Sequence, residues 1–305
     1  MSVAPEPIHL IADLEQWSYA GTALAVVGQP VAHSLSPEMH NAALAELART
    51  RPEFAQWRYF KFEIAAPELE RALKLFHRHR FQGLNLTVPH KALVVDHLNS
   101  KDPFVQAAGA ANTLKNNGDW WRGFNTDGIG LTAALREDLG VELAGAQVVL
   151  LGAGGAARGA AIECLRVRCA SLWIGNRTRA SLDELLESLQ PFAAGTELHG
   201  FEIGNPPGSL PPGSIVINAT SLGLATGDAA PLDLKKIPPP ACVYDMIYRP
   251  PQTALLRQAA GLGIRNANGL SMLVHQGAKS LELWTGATAP VDVMRQAARA
   301  ALGTN

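Results

Sequence analysis

The sequence predicts an α/β fold in two domains, on three observations. The chain has 305 residues, about twice the ~150 residues typical of one domain. Apolar runs with the pattern of buried strands alternate with segments of helical spacing along both halves, which is typical of sheets covered by helices. In the second half a continuous apolar run, 147–151, leads directly into a glycine-rich turn and a helix. That arrangement predicts a doubly wound, Rossmann-like nucleotide-binding domain.

Capping and turn residues separate the elements of the first half. Ser36 followed by Pro37 is typical of a helix N-cap and its first turn, and Asn117-Gly118 is a dipeptide favoured in tight hairpin turns. The elements predicted from these signals and from apolar spacing are strands at 22–27, 57–64 and 81–88, helices at 38–49, 67–80 and 89–98, and a hairpin of 111–115 with 120–124.

The second half continues the alternation with longer apolar strands, which are typical of a parallel sheet buried on both faces. Its predicted elements are helices at 127–139, after the glycine turn and at 181–190, and strands at 147–151, 171–175, 215–219 and 243–247. Residues 1–21 show no clear pattern, and two alternatives stay open for them, a flexible leader and an oligomer contact.

Composition excludes several classes of protein. A net charge of −1, from 26 basic and 27 acidic residues, offers no field for a polyanion, so nucleic acid is not an expected partner. No apolar stretch reaches the ~20 residues of a membrane helix, and the N-terminus lacks a signal-peptide pattern, which predicts a cytoplasmic protein with no membrane partner. The three cysteines and nine histidines show no recognisable ligand spacing, so no metal is expected.

The glycine-rich turn GAGGAAR, 152–158, has the residue types that a dinucleotide site needs. Gly152 permits a tight turn, Gly154 lets a pyrophosphate approach the backbone, and the small Ala157 allows close helix packing. Such a turn is weak evidence alone, and an ordinary strand-to-helix turn is the alternative.

The end of the next strand separates the two nicotinamide cofactors. NAD enzymes usually carry an acidic residue there, which binds the ribose 2′-hydroxyl. Here the sequence is Asn176-Arg177-Thr178-Arg179. Guanidinium groups suit a 2′-phosphate because they donate paired, charge-assisted hydrogen bonds, so the pattern favours NADP over NAD. The alternative for the two arginines is a solvated surface pair.

Polar residues of the first half lie where a small-molecule pocket could form. Ser34 and Ser36 precede or begin a helix, a position that suits a carboxylate, although Ser36 could instead serve only as a cap. Asn85 and Thr87 are two residues apart on a predicted strand, and Lys91 follows in the next helical turn. Further polar groups among small residues follow in 109–113 and 123–128.

Taken in order, these segments resemble the shikimate dehydrogenase family, NADP-dependent enzymes of aromatic amino-acid (chorismate) biosynthesis. The resemblance covers nearly all of the chain between residues 28 and 286. The motifs that carry it are HSLSP at 33–37, NLTVPHK at 85–91, GAANT at 109–113, NTDG at 125–128, GAGGAAR at 152–158, NRT at 176–178, NATSLG at 218–223, YDMIYRP at 244–250 and GLSMLVHQGA at 269–278.

The resemblance implies roles for individual residues. Lys91 and Asp127 match the catalytic pair. The residues that match holders of the substrate carboxylate are Ser34, Ser36 and Tyr248, and those that match holders of the ring hydroxyls are Asn85, Thr87, Asn112 and Gln276. The implied cofactor contacts are Gly152, Ala153, Gly154, Gly155, Ala156, Asn176, Arg177, Thr178, Arg179, Thr220, Met246, Gly269 and Met272.

The resemblance also implies the domain arrangement. Residues 1–126 with 269–305 are expected to form a discontinuous, N-terminal α/β substrate-binding and catalytic domain, and residues 127–268 a Rossmann-like NADP-binding domain. One departure is Ser181, which stands where many family members carry a second basic residue after NRT. Arg179 is expected to take its place.

The expected reaction is the reversible reduction of 3-dehydroshikimate to shikimate with NADPH, with Lys91 and Asp127 exchanging the proton as one unit. The expected partner is this small-molecule substrate, and a monomer or a homodimer is expected. Two alternatives stay open: a quinate/shikimate dehydrogenase that uses NAD, and a non-catalytic NADP-binding regulator. The presence of both Ser34 and Ser36 resembles the pattern that prefers shikimate, since quinate carries an extra hydroxyl beside its carboxylate.

Overall fold

A computed structural model describes residues 6–225 and 227–303 of the chain, and they form two compact units. The first unit contains the chain up to Thr126 together with the segment from Val274 onward, and the second is Asp127–Leu273. No helix in the described part of the chain is long and apolar enough to cross a membrane.

The first unit is a mixed sheet with helices around it. Its strands and helices up to Thr126 are β1 (Ile8–His9), α1 (Ile11–Glu15), β2 (Thr22–Gly28), α2 (Ser36–Ala48), β3 (Trp57–Glu63), α3 (Leu69–Arg78), β4 (Gly83–Leu86), α4 (His90–Leu93), β5 (Ser100–Lys101), α5 (Pro103–Ala108), β6 (Thr113–Asn116) and β7 (Trp121–Phe124). Short 3₁₀ turns lie at Pro52–Phe54, Ala66–Glu68 and Val94–His97.

The seven strands of this sheet lie in the order β1-β3-β2-β4-β6-β7-β5. The central pairs of β2 with β3 and of β2 with β4 are parallel, whereas β6 pairs antiparallel with both β4 and β7. The predicted hairpin is therefore confirmed, with Asn117 donating a backbone hydrogen bond to Trp120 across the turn. The hairpin brings the segment before β6 beside the end of β4.

The leader segment packs on the first sheet over the part that the structure describes. β1 pairs in parallel with β3, and Leu14 of α1 is fully buried. The ring of Trp17 lies 4.8 to 5.5 Å from the rings of Phe60, Phe62 and Phe81. These contacts favour an ordered segment over a flexible leader, because burial of the apolar groups stabilises the packed conformation. Its use as an oligomer contact stays a prediction.

The second unit is a parallel sheet with helices on its faces. Its elements are α6 (Asp127–Leu139), β8 (Gln147–Leu151), α7 (Gly155–Arg166), β9 (Ser171–Asn176), α8 (Arg179–Leu189), β10 (Glu197–Glu202), β11 (Ile215–Asn218), β12 (Cys242–Asp245), α9 (Ala254–Gly261) and β13 (Arg265–Asn268), with 3₁₀ turns at Gln190–Phe192 and Leu234–Lys236. After β13 the chain continues into α10 (Leu270–Thr285) and α11 (Val291–Leu302).

The six strands of the second sheet lie in the order β10-β9-β8-β11-β12-β13 and are all parallel. Counted along the chain, this order is 3-2-1-4-5-6, the order of a doubly wound dinucleotide-binding fold. The central strand β8 has the apolar sequence QVVLL, and four of its five residues are buried, as expected for a strand covered by helices on both faces. The predicted α/β class and the Rossmann-like second half are confirmed. In such sheets ligands bind where the strand order reverses, here at the carboxyl ends of β8 and β11.

The part of α10 from Val274 onward packs closely against β4 and β6 of the first sheet. The Trp284 indole donates a 2.8 Å hydrogen bond to the Leu114 carbonyl. A Cβ atom at Gly83 would lie 2.0 Å from the Trp284 Nε1 atom, so only glycine lets β4 approach this ring. This packing also places Gln276, which α10 carries two turns before Trp284, near the carboxyl end of β4.

Candidate active site

Ser34 lies before α2 and Ser36 within it, and neither serine is the N-cap of the helix. Leu35 is the N-cap residue of α2, and Ser36 is the first residue inside the helix, without a side-chain capping bond. The Ser34 hydroxyl accepts a 3.3 Å hydrogen bond from the Ser36 amide. The N-cap prediction for Ser36 is therefore wrong by one residue. Both serines lie at the start of a 13-residue helix, where the backbone dipole favours an anion.

Hydrogen bonds bring the Lys91 segment beside the Asn112 segment. The Lys91 carbonyl accepts a bond from the Ala111 amide at 2.8 Å, and the Asn112 carbonyl accepts one from the Leu86 amide at 2.8 Å. β4 ends at Leu86, so Thr87 lies one residue past the strand, although its amide still donates to the Val27 carbonyl at 3.0 Å. Asn85, Thr87, Lys91 and Asn112 thus lie on neighbouring segments of the first unit.

Asn112 and Gln276 meet in a buried cluster of amides and hydroxyls. The Asn112 amide donates to the Gln276 Oε1 atom at 3.1 Å and to the Thr126 hydroxyl at 2.9 Å. Its Oδ1 atom accepts bonds from the Thr126 amide at 2.8 Å and the Thr113 hydroxyl at 3.0 Å. These four bonds hold the Asn112 side chain in one orientation, because turning the amide over would set its NH₂ against the Thr126 N–H.

The same cluster extends to Asn85 through Ser280. The Asn85 Nδ2 atom lies 3.0 Å from the Ser280 hydroxyl and 3.1 Å from the Thr113 hydroxyl, and the Asn85 Oδ1 atom accepts a 2.8 Å bond from the Tyr59 hydroxyl. Ser280 was not predicted as a site residue. A signal existed, since it lies four residues after Gln276 and hence on the same face of a largely apolar helix.

A buried histidine lies beneath this cluster. The ring of His40 stacks on Tyr59 with centroids 4.2 Å apart, and its two nitrogens lie 2.9 Å from the Ser36 carbonyl and 3.2 Å from the Gly277 carbonyl. Burial lowers the pKa of His40 to about 4. His40 is therefore neutral near pH 7 and links α2 to the helix that carries Gln276.

The glycine turn of the second unit has open space around it. Gly152 has a φ of +113°, and a Cβ there would lie 3.0 Å from the Ala219 carbonyl oxygen, so the turn itself requires glycine. Gly154 is the N-cap of α7, and a Cβ at Gly154 or Gly155 would meet none of the described residues within 4 Å. Packing does not require glycine at those two positions. A ligand that approaches the backbone would, and the turn thus fits a pyrophosphate.

The two arginines after β9 differ in their surroundings. Arg179 forms a 2.9 Å ion pair with Asp183 one turn along α8. Arg177 is exposed and forms no hydrogen bond or ion pair with any residue in 6–225 or 227–303. The Asn176 side chain donates to the Thr178 carbonyl at 2.9 Å and shapes the turn that presents them. Arg177 is accordingly the better placed of the two for a phosphate.

Three of the remaining predicted cofactor residues lie close together at the carboxyl edge of the second sheet. The Asn218 Oδ1 atom accepts bonds from the Thr220 amide and hydroxyl at 3.0 and 2.8 Å, and the Asn218 carbonyl accepts one from the Met246 amide at 3.0 Å. A Cβ at Gly269 would lie 2.0 Å from the Met246 carbonyl oxygen. Met272 follows in the first turn of α10. Thr220, Met246 and Gly269 are therefore neighbours.

The predicted residues are divided between the two units. Ser34, Ser36, Asn85, Thr87, Lys91, Asn112 and Gln276 belong to the first unit, and Asp127, Tyr248 and all of the predicted cofactor residues belong to the second. Asp127 is the first residue of α6. Burial raises the pKa of Tyr248, so its phenol stays protonated near neutral pH and can donate a hydrogen bond.

The parallel sheet, its strand order and the open glycine turn define a dinucleotide-binding α/β protein. Two family models match the chain, the shikimate dehydrogenase substrate binding domain over residues 26–114 and the shikimate 5′-dehydrogenase C-terminal domain over residues 269–299. The NADP⁺ shikimate dehydrogenase of Geobacter metallireducens is 38% identical over 281 residues, which cover 92% of this chain and 96% of the relative. The chain belongs to the shikimate dehydrogenase family.

Solved structures agree with this assignment. Shikimate 5-dehydrogenase from Thermus thermophilus, solved in complex with NADP(H) and shikimate, is 34% identical, covers 92% of this chain and 99% of its own, and has a TM-score of 0.80. The ligand-free 5-ketofructose reductase of a Gluconobacter species is 31% identical, covers 93% and 99%, and has a TM-score of 0.81. The predicted family and the predicted class of enzyme, an NADP-dependent oxidoreductase, are confirmed.

Proposed function

We propose that this protein catalyses the reversible, NADP-dependent interconversion of 3-dehydroshikimate and shikimate. The observation that carries the proposal is the contact between the buried amide of Asn112 and the half-buried amide of Gln276, beside the Lys91 segment. A site of oriented amides suits a ring with several hydroxyls, because buried polar groups that find no partner are costly.

The cofactor contributes a hydride at its nicotinamide ring when bound. For that role the open turn at Gly154 would face the pyrophosphate and Arg177 the 2′-phosphate, which favours NADP over NAD. Thr220, Met246, Gly269 and Met272 would hold the other end of the cofactor, at the point where the strand order reverses.

The proton is assigned to Lys91 and Asp127. Reduction of the ketone needs an acid beside the carbonyl oxygen, and the Lys91 ammonium supplies it at neutral pH. Asp127 would orient the lysine in that role. In the reverse direction the neutral amine accepts the proton from the alcohol. We treat the two groups as one proton-exchanging unit.

The substrate carboxylate is assigned to Ser34, Ser36 and Tyr248. Two hydroxyls at the start of α2 and a protonated phenol are all donors, so they match an acceptor that carries only lone pairs. The ring hydroxyls are assigned to Asn85, Thr87, Asn112 and Gln276. A cytoplasmic location and a monomeric or homodimeric state belong to the same proposal.

A steady-state assay of the purified full chain tests the proposal. It follows nicotinamide absorbance with shikimate, quinate or 5-ketofructose as substrate, and with NADP or NAD in the matching redox form as cofactor. Shikimate with NADP is expected to give the highest kcat/KM. Comparable values with quinate and NAD would instead support the broader dehydrogenase, and NADP binding without any turnover would support a regulator.

A further inference from the structure

The strands β11 and β12 end in a buried polar pair to which neither the resemblance nor the proposed reaction assigns a role. Asn218 and Asp245 stand opposite each other in the parallel ladder, and both side chains are fully buried. The Asn218 Nδ2 atom lies 3.0 Å from the Asp245 Oδ1 atom. The Asp245 carboxylate accepts two further bonds, from the Thr253 hydroxyl at 2.6 Å and from the Ile247 amide at 3.1 Å.

The chemistry of this pair allows only one arrangement. An ionised carboxylate is an acceptor only, so Asn218 must turn its NH₂ group toward Asp245. The carbonyl end of the same amide then faces away from Asp245. There it accepts the Thr220 amide at 3.0 Å and the Thr220 hydroxyl at 2.8 Å. Asp245 holds the Asn218 side chain in this orientation together with the Leu222 carbonyl, which accepts a 3.3 Å hydrogen bond from the same Nδ2 atom.

Thr220 lies at the place where a doubly wound sheet binds its ligand. It follows β11, whose neighbour β8 runs into the glycine turn, and the strand order reverses between these two strands. A Cβ at Gly152 would lie 3.2 Å from the Thr220 Cγ2 atom, so the loop after β11 closely approaches the glycine turn. The Leu222 amide also donates to the Thr220 hydroxyl, at 3.1 Å.

We propose that Asp245 is a positioning residue for the cofactor, which acts through Asn218 to hold the 219–223 loop in the conformation that binds NADP. The inference rests on the proposed function for the identity of the cofactor. A carboxylate buried for stability alone would need its three donors. It would not need Asn218 to accept, in turn, the hydrogen bonds that Thr220 donates.

Asp245→Asn tests this arrangement without changing its shape. An amide at 245 replaces the charge-assisted hydrogen bonds that Asp245 accepts from Asn218 and Ile247 by weaker neutral ones, which loosens the hold on the Asn218 side chain. We expect the Kd of the full chain for NADP, measured by calorimetry, to rise about tenfold, which corresponds to ~1.4 kcal/mol. The KM for shikimate at saturating NADP is expected to change less than about twofold, because the Asn112 cluster belongs to the first unit and this pair to the second.

Thr253→Val is the matched control. Thr253 donates to the other oxygen of the same carboxylate and also caps α9 through the Leu256 amide, but it does not contact Asn218. This variant is expected to lower the Tm as much as Asp245→Asn does, while its Kd for NADP stays within about twofold of the wild-type value. An equal loss of NADP affinity in both variants would mean that the pair serves stability only, and would overturn the inference.

Two further variants keep the test decisive. If Asp245→Asn does not fold, Asn218→Ala is tested instead. It removes the side chain that links Asp245 to Thr220 and leaves Asp245 with two donors. We expect it to raise the Kd for NADP about tenfold. The exchange Asn218→Asp with Asp245→Asn restores an acceptor for Thr220, and it is expected to recover most of the affinity. Wild-type affinity for NADP in a folded Asn218→Ala protein would overturn this inference but not the proposed function. A wild-type chain that binds no NADP would overturn the proposed function as well.

Discussion

The Asn112 amide donates a hydrogen bond to the Gln276 Oε1 atom at 3.1 Å, although 164 residues separate the two along the chain. The contact joins the segment before β6 to α10, which the chain reaches only after it has passed through the second unit. A discontinuous domain is therefore necessary for this part of the site. The polar groups meet only when α10 packs on the first sheet.

Ser280 is expected to hold that helix in position. Its hydroxyl lies within 3.3 Å of groups on three segments, Asn85, Thr113 and Thr126, and it is fully buried. We expect Ser280→Ala to raise the KM for shikimate about 5- to 10-fold, the scale of one net hydrogen bond, with the KM for NADP unchanged.

The control for Ser280 is Thr285→Ala on the same helix. Thr285 makes the same local bond, to the carbonyl four residues earlier, but its hydroxyl contacts none of the predicted substrate residues. Steady-state kinetics of both variants at saturating NADP would show an effect only for Ser280→Ala. The same KM for shikimate in the two variants would count against a role in positioning.

Arg177 and Arg179 are expected to contribute unequally to NADP binding. Arg179 is already paired with Asp183, whereas Arg177 is exposed and forms no ion pair with any described residue. Arg177→Ala should weaken NADP binding ~10-fold or more and leave NAD binding nearly unchanged, because only NADP carries the 2′-phosphate. Arg179→Ala should have the smaller effect. Calorimetric titrations with both cofactors check this, and an equal loss for NADP and NAD would refute a phosphate contact.

His40 is expected to make the first unit less stable in mild acid. Its pKa is about 4 in the folded protein and 6.5 when unfolded, so below pH 6.5 the unfolded chain takes up a proton that the folded chain does not. The free energy of unfolding should therefore fall by about 2 kcal/mol between pH 7 and pH 5, and the loss should level off below pH 4.

Tryptophan fluorescence during urea unfolding can follow this loss, because five of the six tryptophans belong to the first unit. His40→Gln keeps a donor at the site but removes the titration, so its stability should depend less on pH. His199→Gln, which changes a partly exposed histidine, should keep the wild-type dependence. A wild-type slope in His40→Gln would assign the acid sensitivity to other groups.

Features set by neighbouring residues could be predicted from the sequence. The strand QVVLL, the turn at Gly152 and the start of α6 at Asp127 depend on local pattern, and the structure places them as predicted. Helix α2 begins two residues before the predicted position, because Leu35 rather than Ser36 is the N-cap. A serine followed by proline fits both positions equally well.

Features that depend on distant contacts could not be predicted. Ile8 and His9 form a strand only because β3 offers an unpaired edge, and two residues carry no periodic signal. Ser280 lies four residues after Gln276 and Asp245 lies within the motif at 244–250, but neither position by itself indicates which groups the side chain bonds. Their partners come from other strands, so their importance follows from hydrogen bonds that form only in the folded chain.

Lys91 and Asp127 are proposed to exchange the proton as one unit, and a double-mutant cycle of shikimate oxidation by NADP measures whether they do. Lys91→Ala and Asp127→Asn should each lower kcat by ~10² or more, and the double variant should be little slower than the slower single variant. Losses that multiply in the double variant would contradict a shared role. Wild-type kcat in folded Lys91→Ala would remove the lysine from the reaction altogether.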